Sequence, residues 1–263
     1  MGKTTDEFID TTSNVATRVD INTKYGNNNL REWIPQQLEL KQSEKILDIG
    51  CGDGTHIRDV SSFIKDENCC FALDYDKEMI TRSIDLSKNI FPKIKFFTMS
   101  MDDIAQTNIF PKNSFDLIYS VYAFYYTKNE IKLLNNLKKI LKSNGRISII
   151  GPYSDNNKDW WDFLEQFMTI PDSLKKFANT EFMQGIEEYA KINFHDVKFD
   201  EFVNQITFPS IDVFRQYWKS NIYYDSKYDS DFELFAKKHF EKYNNFQYSK
   251  KAEIITMKTP LIL

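Results

Sequence analysis

Nine residues constrain this chain more than any others. Ile46-Leu47-Asp48-Ile49 is a short apolar run of the buried-strand type, and it passes directly into Gly50-Cys51-Gly52-Asp53-Gly54. Three alternating glycines permit positive φ and let a ligand approach the bare main chain. The spacing is Gly-x-Gly-x-Gly, not the Gly-x-Gly-x-x-Gly of a dinucleotide fold, and no Gly-Lys-Ser/Thr ending marks a phosphate loop. A nucleoside ligand without a pyrophosphate therefore fits best. Asp74 stands twenty positions after Gly54, where the next apolar run ends. A carboxylate at that place can accept hydrogen bonds from both hydroxyls of a ribose.

The rest of the first 152 residues repeats one pattern. Strands are expected at Lys45–Ile49, Cys69–Leu73, Ile94–Met99, Phe115–Ser120 and Arg146–Ile150. Helices are expected at Thr55–Ile64, Lys77–Asn89 and Asn129–Lys142, the last stopping at Ser143-Asn144-Gly145. A further helix, Leu30–Leu40, is interrupted by Pro35. Strands alternating with helices of this length predict a mostly parallel sheet covered on both faces. Ligands of such sheets sit beyond the carboxyl ends of the strands.

After Gly151-Pro152 the character changes. Residues 151–263 hold 24 of the 40 aromatic residues, which suits a region that covers an organic ligand. Helices are expected at Asp159–Phe177, Glu181–Lys191, Pro209–Asn221 and Asp229–Tyr243, and strands at Val197–Phe208 and Ala252–Met257. We divide the chain into an N-terminal helical cap (1–44), a ligand-binding core (45–152) and a completion of the sheet with aromatic-rich helices (153–263), all within one domain.

Composition removes several alternatives. A formal net charge of −4 argues against a broad basic surface for nucleic acid. Three cysteines, Cys51 and the adjacent Cys69 and Cys70, make neither a disulfide framework nor a zinc site, which points to a reducing, cytoplasmic setting and no metal. No run of 18 apolar residues occurs, so no membrane span is expected. The oligomeric state is not legible.

ILDIGCGDG followed by FALDYD resembles the class I S-adenosylmethionine-dependent methyltransferases. The likeness runs from about Leu30 to Pro152 and includes SFDLIYSVYAFYY (Ser114–Tyr126) and LKSNGRISIIGP (Leu141–Pro152). It implies a three-layer α/β/α Rossmann-like sandwich with a mostly parallel seven-stranded sheet, an antiparallel last strand and a helical covering region. It also implies S-adenosyl-L-methionine as cofactor. Gly50, Cys51, Gly52 and Gly54 would form the floor beneath its methionine part, and Asp48 would organise that loop. Asp74 would hold the ribose, and Tyr75 would lie beside the adenine. Ser100, Met101 and Asp102 would line the adenine edge, where the commoner pattern has an acid at the position of Ser100. Ser120 and Val121 would end the fourth strand near the sulfonium. Tyr25, in the segment that often folds over the cofactor, would touch the methionine part.

The acceptor side is read from chemistry. Tyr125 and His195 are candidates to position the acceptor or take its proton. Tyr126, Trp161, Trp218 and Tyr223 are candidates to shape its pocket. The leading expectation is methyl transfer to a small molecule at oxygen or nitrogen by in-line displacement. The rivals are a methyltransferase acting on protein or RNA, and a non-catalytic scaffold that keeps the fold.

Overall fold

The computed structural model describes residues 12–90, 92–104, 106, 109–170 and 181–260. Three apolar residues and a single acid suit a strand buried on both faces, and β1 (Ile46–Ile49) is buried at every position. It pairs in parallel with β2 (Cys70–Asp74) and with β4 (Phe115–Val121). β2 pairs in parallel with β3 (Ile94–Thr98), and β4 with β5 (Leu141–Pro152). With β6 (Phe194–Phe208) and β7 (Phe246–Pro260) the strand order is β3-β2-β1-β4-β5-β7-β6, and β7 runs antiparallel. The expected sheet is therefore present, and its order reverses between β1 and β4, the switch point at which such sheets bind ligands.

The helices are α1 (Thr12–Tyr25), α2 (Leu30–Gln37), α3 (Thr55–Ser61), α4 (Lys77–Leu86), α5 (Glu130–Ile140), α6 (Lys158–Leu164), α7 (Glu181–Asn193), α8 (Ile211–Lys219) and α9 (Asp229–Tyr243). Side-chain caps start several of them. Asp76 accepts from the Glu78 and Met79 amides at the head of α4, and Asn129 from the Lys132 amide at the head of α5. α5 turns Leu133, Leu134, Leu137 and Ile140 inward. It ends two residues earlier than expected, because Leu141 is already extended and pairs with Phe115. Ser143-Asn144-Gly145 thus lies within β5 rather than in a helix cap. α6 stops at Leu164, and residues 171–180 of the helix expected over 159–177 lie outside the described residues.

Packing divides the chain into two units. The sheet unit comprises Arg31–Pro152, Thr180–Glu201 and Glu253–Leu263. The aromatic unit comprises Met1–Leu30, Tyr153–Asn179 and Phe202–Ala252. Residues 181–201 and the end of β7 go with the sheet, and the described part of α1 goes with the aromatic unit. The sheet unit is cored by Leu47, Ile49, Leu73, Ile118, Leu134, Ile147 and their neighbours. In the aromatic unit Trp160, Phe163, Phe214, Trp218, Phe232 and Phe246 pack edge-to-face, tilted or stacked, with ring centroids 4.5–6.4 Å apart. Such pairs add about 0.5–1.5 kcal/mol each beyond the area they bury. No helix of the described residues is long and apolar enough to cross a membrane.

Candidate functional site

The loop after β1 is fastened to the end of β2. The Gly50 and Cys51 amides both donate to the Leu73 carbonyl, at 2.8 and 2.9 Å. The Gly52 amide donates to Asp74 Oδ2 at 2.9 Å, and the Asp76 amide to Asp74 Oδ1 at 2.9 Å. Ser83 on α4 donates its hydroxyl to the Gly52 carbonyl, and Ser120 on β4 donates to the Ile49 carbonyl, at 2.9 and 2.8 Å. Asp74 therefore shapes the loop itself. A carboxylate has about four lone-pair sites, so two backbone donors leave it able to accept two more.

All three glycines adopt left-handed conformations, with φ of 72°, 54° and 75° at Gly50, Gly52 and Gly54. Their reasons differ. A Cβ on Gly50 would lie 2.3 Å from that of Ala123, so this glycine lets β4's following loop approach. A Cβ on Gly54 would meet Arg58 and Ser83 at 3.1 Å. A Cβ on Gly52 would meet nothing within 4 Å. Protein packing explains the first and third glycines, and open space stands over the middle one.

Asp48 lies under this loop, 1% exposed. Burial pushes its carboxyl up to about 8, with the Tyr119 hydroxyl acting in the opposite sense and Asp74 adding to the rise. Neither Asp48 Oδ2 nor the Tyr119 hydroxyl completes a hydrogen bond among the described residues. Asp74 and Ser83 both hydrogen-bond to the main chain of this loop. Cys51 is buried, and burial raises its thiol far above the ordinary range, so it packs rather than attacks.

Around the switch point the structure sorts the remaining residues. Tyr75 projects from the end of β2, 74% exposed. Met101 packs towards Gly50, its Cε 3.3 Å from where a Cβ would stand. Ser100 accepts the Asp102 amide at 3.2 Å and caps a short turn. Asp102 takes the Thr127 hydroxyl and, at 3.2 Å, the Lys128 amide, so its carboxylate fixes the segment leading to α5. Ser120 and Val121 are buried at the end of β4. Tyr122 follows with φ of 51°, a strained conformation for an aromatic residue, and its amide holds the Ile150 carbonyl.

Tyr125 packs against Tyr126 and, edge-on, Phe182, with centroids 4.7 and 5.7 Å away. Burial and the neighbouring tyrosines drive its hydroxyl well above the ordinary range, so it stays protonated. Tyr126 is exposed. His195 is corrected as a site residue. It is exposed at the start of the edge strand β6, three strands from β4, whereas the glycine loop leaves the carboxyl end of β1. Trp218 is also corrected. It is fully buried, stacked on Phe232 at 5.5 Å with its indole N–H on Asp229, and offers a ligand no surface. Tyr25, Trp161 and Tyr223 belong to the aromatic unit and are half-buried against its core. Ala123, Ser83 and Tyr122 shape the site without a readable motif; only their positions after β4 and on α4 could have pointed to them.

Residues 46–145 match a family model described as a methyltransferase domain. The phosphoethanolamine N-methyltransferase of Plasmodium falciparum (isolate 3D7) is 30% identical over 171 residues, which are 60% of this chain and 55% of that protein. An uncharacterized methyltransferase of Bacillus subtilis (strain 168), YcgJ, is 24% identical over 136 residues, 51% of each chain. The YcgJ crystal structure superposes with a TM-score of 0.54 at 16% identity, covering 86% of this chain and 96% of its own. So does a phosphoethanolamine N-methyltransferase 2 of Haemonchus contortus in complex with phosphomonomethylethanolamine and S-adenosylhomocysteine, with a TM-score of 0.54 at 16% identity over 88% of this chain and 52% of that one. The chain spans about half the length of the curated relatives it matches. Residues 46–145 are thus similar to a methyltransferase domain, and the sheet has the fold of the methyltransferases with which it superposes, one of them holding S-adenosylhomocysteine.

The residues present fit the cofactor S-adenosylmethionine. Open space over Gly52 admits it to the main chain, Asp74 keeps lone pairs for two hydroxyl donors, and Asp48 Oδ2 is a buried acceptor with no donor among the described residues.

Proposed function

We propose that the chain transfers the methyl group of S-adenosylmethionine to a small-molecule acceptor, at oxygen or nitrogen, by in-line displacement. The observation that carries this is the open backbone at Gly52 beside an Asp74 carboxylate with unused lone pairs. When bound, the cofactor supplies a methyl group already activated by its sulfonium. The protein's share is then to hold and orient, which contributes up to about 7–11 kcal/mol when two reactants are brought into line.

Asp74 holds the ribose, and Gly50, Cys51, Gly52 and Gly54 form the floor under the methionine part. Tyr75 and Met101 flank the adenine, with Ser100 shaping the turn between them. Asp48, ionised by a nearby positive charge, balances the cationic end of the ligand. Tyr125 positions the acceptor by donating a hydrogen bond, because a hydroxyl raised by burial is a poor base. The faces of Tyr125, Tyr126 and Phe182 suit a developing or departing positive charge. Trp161 and Tyr223 serve the acceptor. Two of the relatives are named for methylating phosphoethanolamine, a small molecule, which supports this acceptor class.

Turnover of radiolabelled S-adenosylmethionine with a fractionated metabolite extract tests the reading. Label should appear in a low-molecular-weight product and disappear with Asp74→Ala. Label found only in protein or RNA fractions, or in none, contradicts it.

A further inference from the structure

The turn after β4 holds a tyrosine in a conformation that favours glycine. Tyr122 has φ of 51°, and among the described non-glycine residues with positive φ it is the only aromatic one. For so bulky a side chain that conformation is costly, whereas a glycine would adopt it freely. The backbone on both sides enforces it. The Tyr122 amide donates to the Ile150 carbonyl at 2.9 Å, which keeps the chain in the β4–β5 ladder one residue past the end of β4. The next residue, Ala123, then lies against the loop after β1. Its Cβ is 2.3 Å, and its Cα 3.7 Å, from where a Cβ on Gly50 would stand. Tyr122 is therefore fixed at the carboxyl end of β4, one residue from the glycine loop, at the switch point between β1 and β4.

Ring stacking does not account for a tyrosine at this place. The Tyr122 ring meets no other ring among the described residues, whereas Tyr125, three residues on, packs against Tyr126 and Phe182. The Tyr122 hydroxyl makes no hydrogen bond among the described residues, and burial alone raises it, so it stays protonated. Its oxygen is not sealed in as that of Tyr119 is: the residue is half-buried, and its hydroxyl is not among the fully buried polar atoms that lack a partner. A strained backbone that carries an unpartnered, reachable hydroxyl at the mouth of a ligand site is the mark of a functional position.

We infer that the Tyr122 hydroxyl binds the methyl acceptor at the end of β4 and orients its nucleophilic atom. A protonated phenol donates one hydrogen bond and accepts through its lone pairs. It can therefore hold an acceptor through a hydroxyl or an amine, the two nucleophiles proposed above. It contributes by orientation rather than by taking a proton. The Ile150 carbonyl on one side and the Ala123–Gly50 approach on the other make its mount rigid, and orientation needs a rigid mount. That the bound molecule is a methyl acceptor rests on the function proposed above; the enforced conformation and the unpartnered hydroxyl do not.

The test is label transfer by the full chain from radiolabelled S-adenosylmethionine to a limiting amount of the active metabolite fraction. Tyr122→Phe keeps the ring and loses only the hydroxyl. Its rate should fall about two- to tenfold, as loss of one hydrogen bond requires, while calorimetry gives S-adenosylhomocysteine the wild-type affinity. Tyr122→Gly should lose transfer too. With no Cβ at a positive φ it should also melt above Tyr122→Ala, the reverse of the usual order. Three results overturn the inference and leave the methyltransferase reading standing: wild-type transfer in Tyr122→Phe, an S-adenosylhomocysteine affinity that falls as far as transfer does, or Tyr122→Ala melting at or above Tyr122→Gly. No transfer by the wild type to any fraction sinks that reading and this inference with it.

Discussion

Asp74 does two jobs that the sequence presents as one. Its position after the second strand marks it as a ribose ligand, but the structure also has it holding the Gly52 amide. Asp74→Ala should weaken S-adenosylhomocysteine by about 1–3 kcal/mol, the range for lost hydrogen bonds to a charged group. Calorimetry checks this, and an unchanged affinity would place the ribose elsewhere. Asp48 makes a pH prediction. Its carboxyl stays protonated in the fold up to about 8, while the unfolded chain loses that proton near 4. Between those values the native state binds more protons, so this group's contribution to stability is full below about 4 and declines as pH rises towards 8. Thermal midpoints of wild type and Asp48→Asn at pH 5 and 8 isolate the effect, since other groups cancel in the difference. The variant should lose less stability on going to pH 8; equal slopes contradict a buried, protonated Asp48. The glycines and Asp74 were legible because chemistry demands those residue types. Ser83 was not, because a serine within a helix gives no sign that it will hold the Gly52 carbonyl of a loop thirty-one residues earlier.

Elements were legible where burial has a period. β1, β2 and β4 are apolar runs, and α5 carries a clear stripe, so each was found to within a few residues. α1 carries none: Ile21 is buried while Val15 and Val19 are exposed. Trp218, read from sequence as a pocket residue, sits at helical spacing with Phe214 and Tyr217, and all three are buried as a core stripe. The connection from α2 to the sheet depends on one buried ion pair that sequence could not pair. Arg146 on β5 makes two bonds to Glu44, at 2.6 and 2.8 Å, and donates to the Leu38 and Glu39 carbonyls at 2.9 and 3.1 Å. Arg146→Met leaves Glu44 charged and buried, at a cost of about 3–5 kcal/mol. Denaturant unfolding should show that loss, and Arg146→Met with Glu44→Leu should recover most of it. A loss below about 1 kcal/mol, the usual worth of a solvent-exposed pair, would mean that water reaches the pair.

At the scale of the molecule, the sheet class follows from alternating strands and helices, but the order of strands does not, because pairing joins segments far apart in sequence. The β7 insertion between β5 and β6 is of that kind. So is the division into two units, which sends residues 180–201 to the sheet and 202–252 to the aromatic core. Function inherits the same limit. The residues proposed for the cofactor lie in one stretch of sequence, 46–145, and could be read there, whereas those proposed for the acceptor are split between Tyr122, Tyr125 and Tyr126 in that stretch and Trp161 and Tyr223 well after it. The most direct measurement is calorimetric titration of S-adenosylhomocysteine into the wild type and Gly52→Val, with circular dichroism to show that both are folded. The wild type should bind saturably, and the variant, folded alike, should bind at least about a hundredfold more weakly, some 2.7 kcal/mol. Equal affinity in the two proteins would mean that nothing docks against the main chain at Gly52.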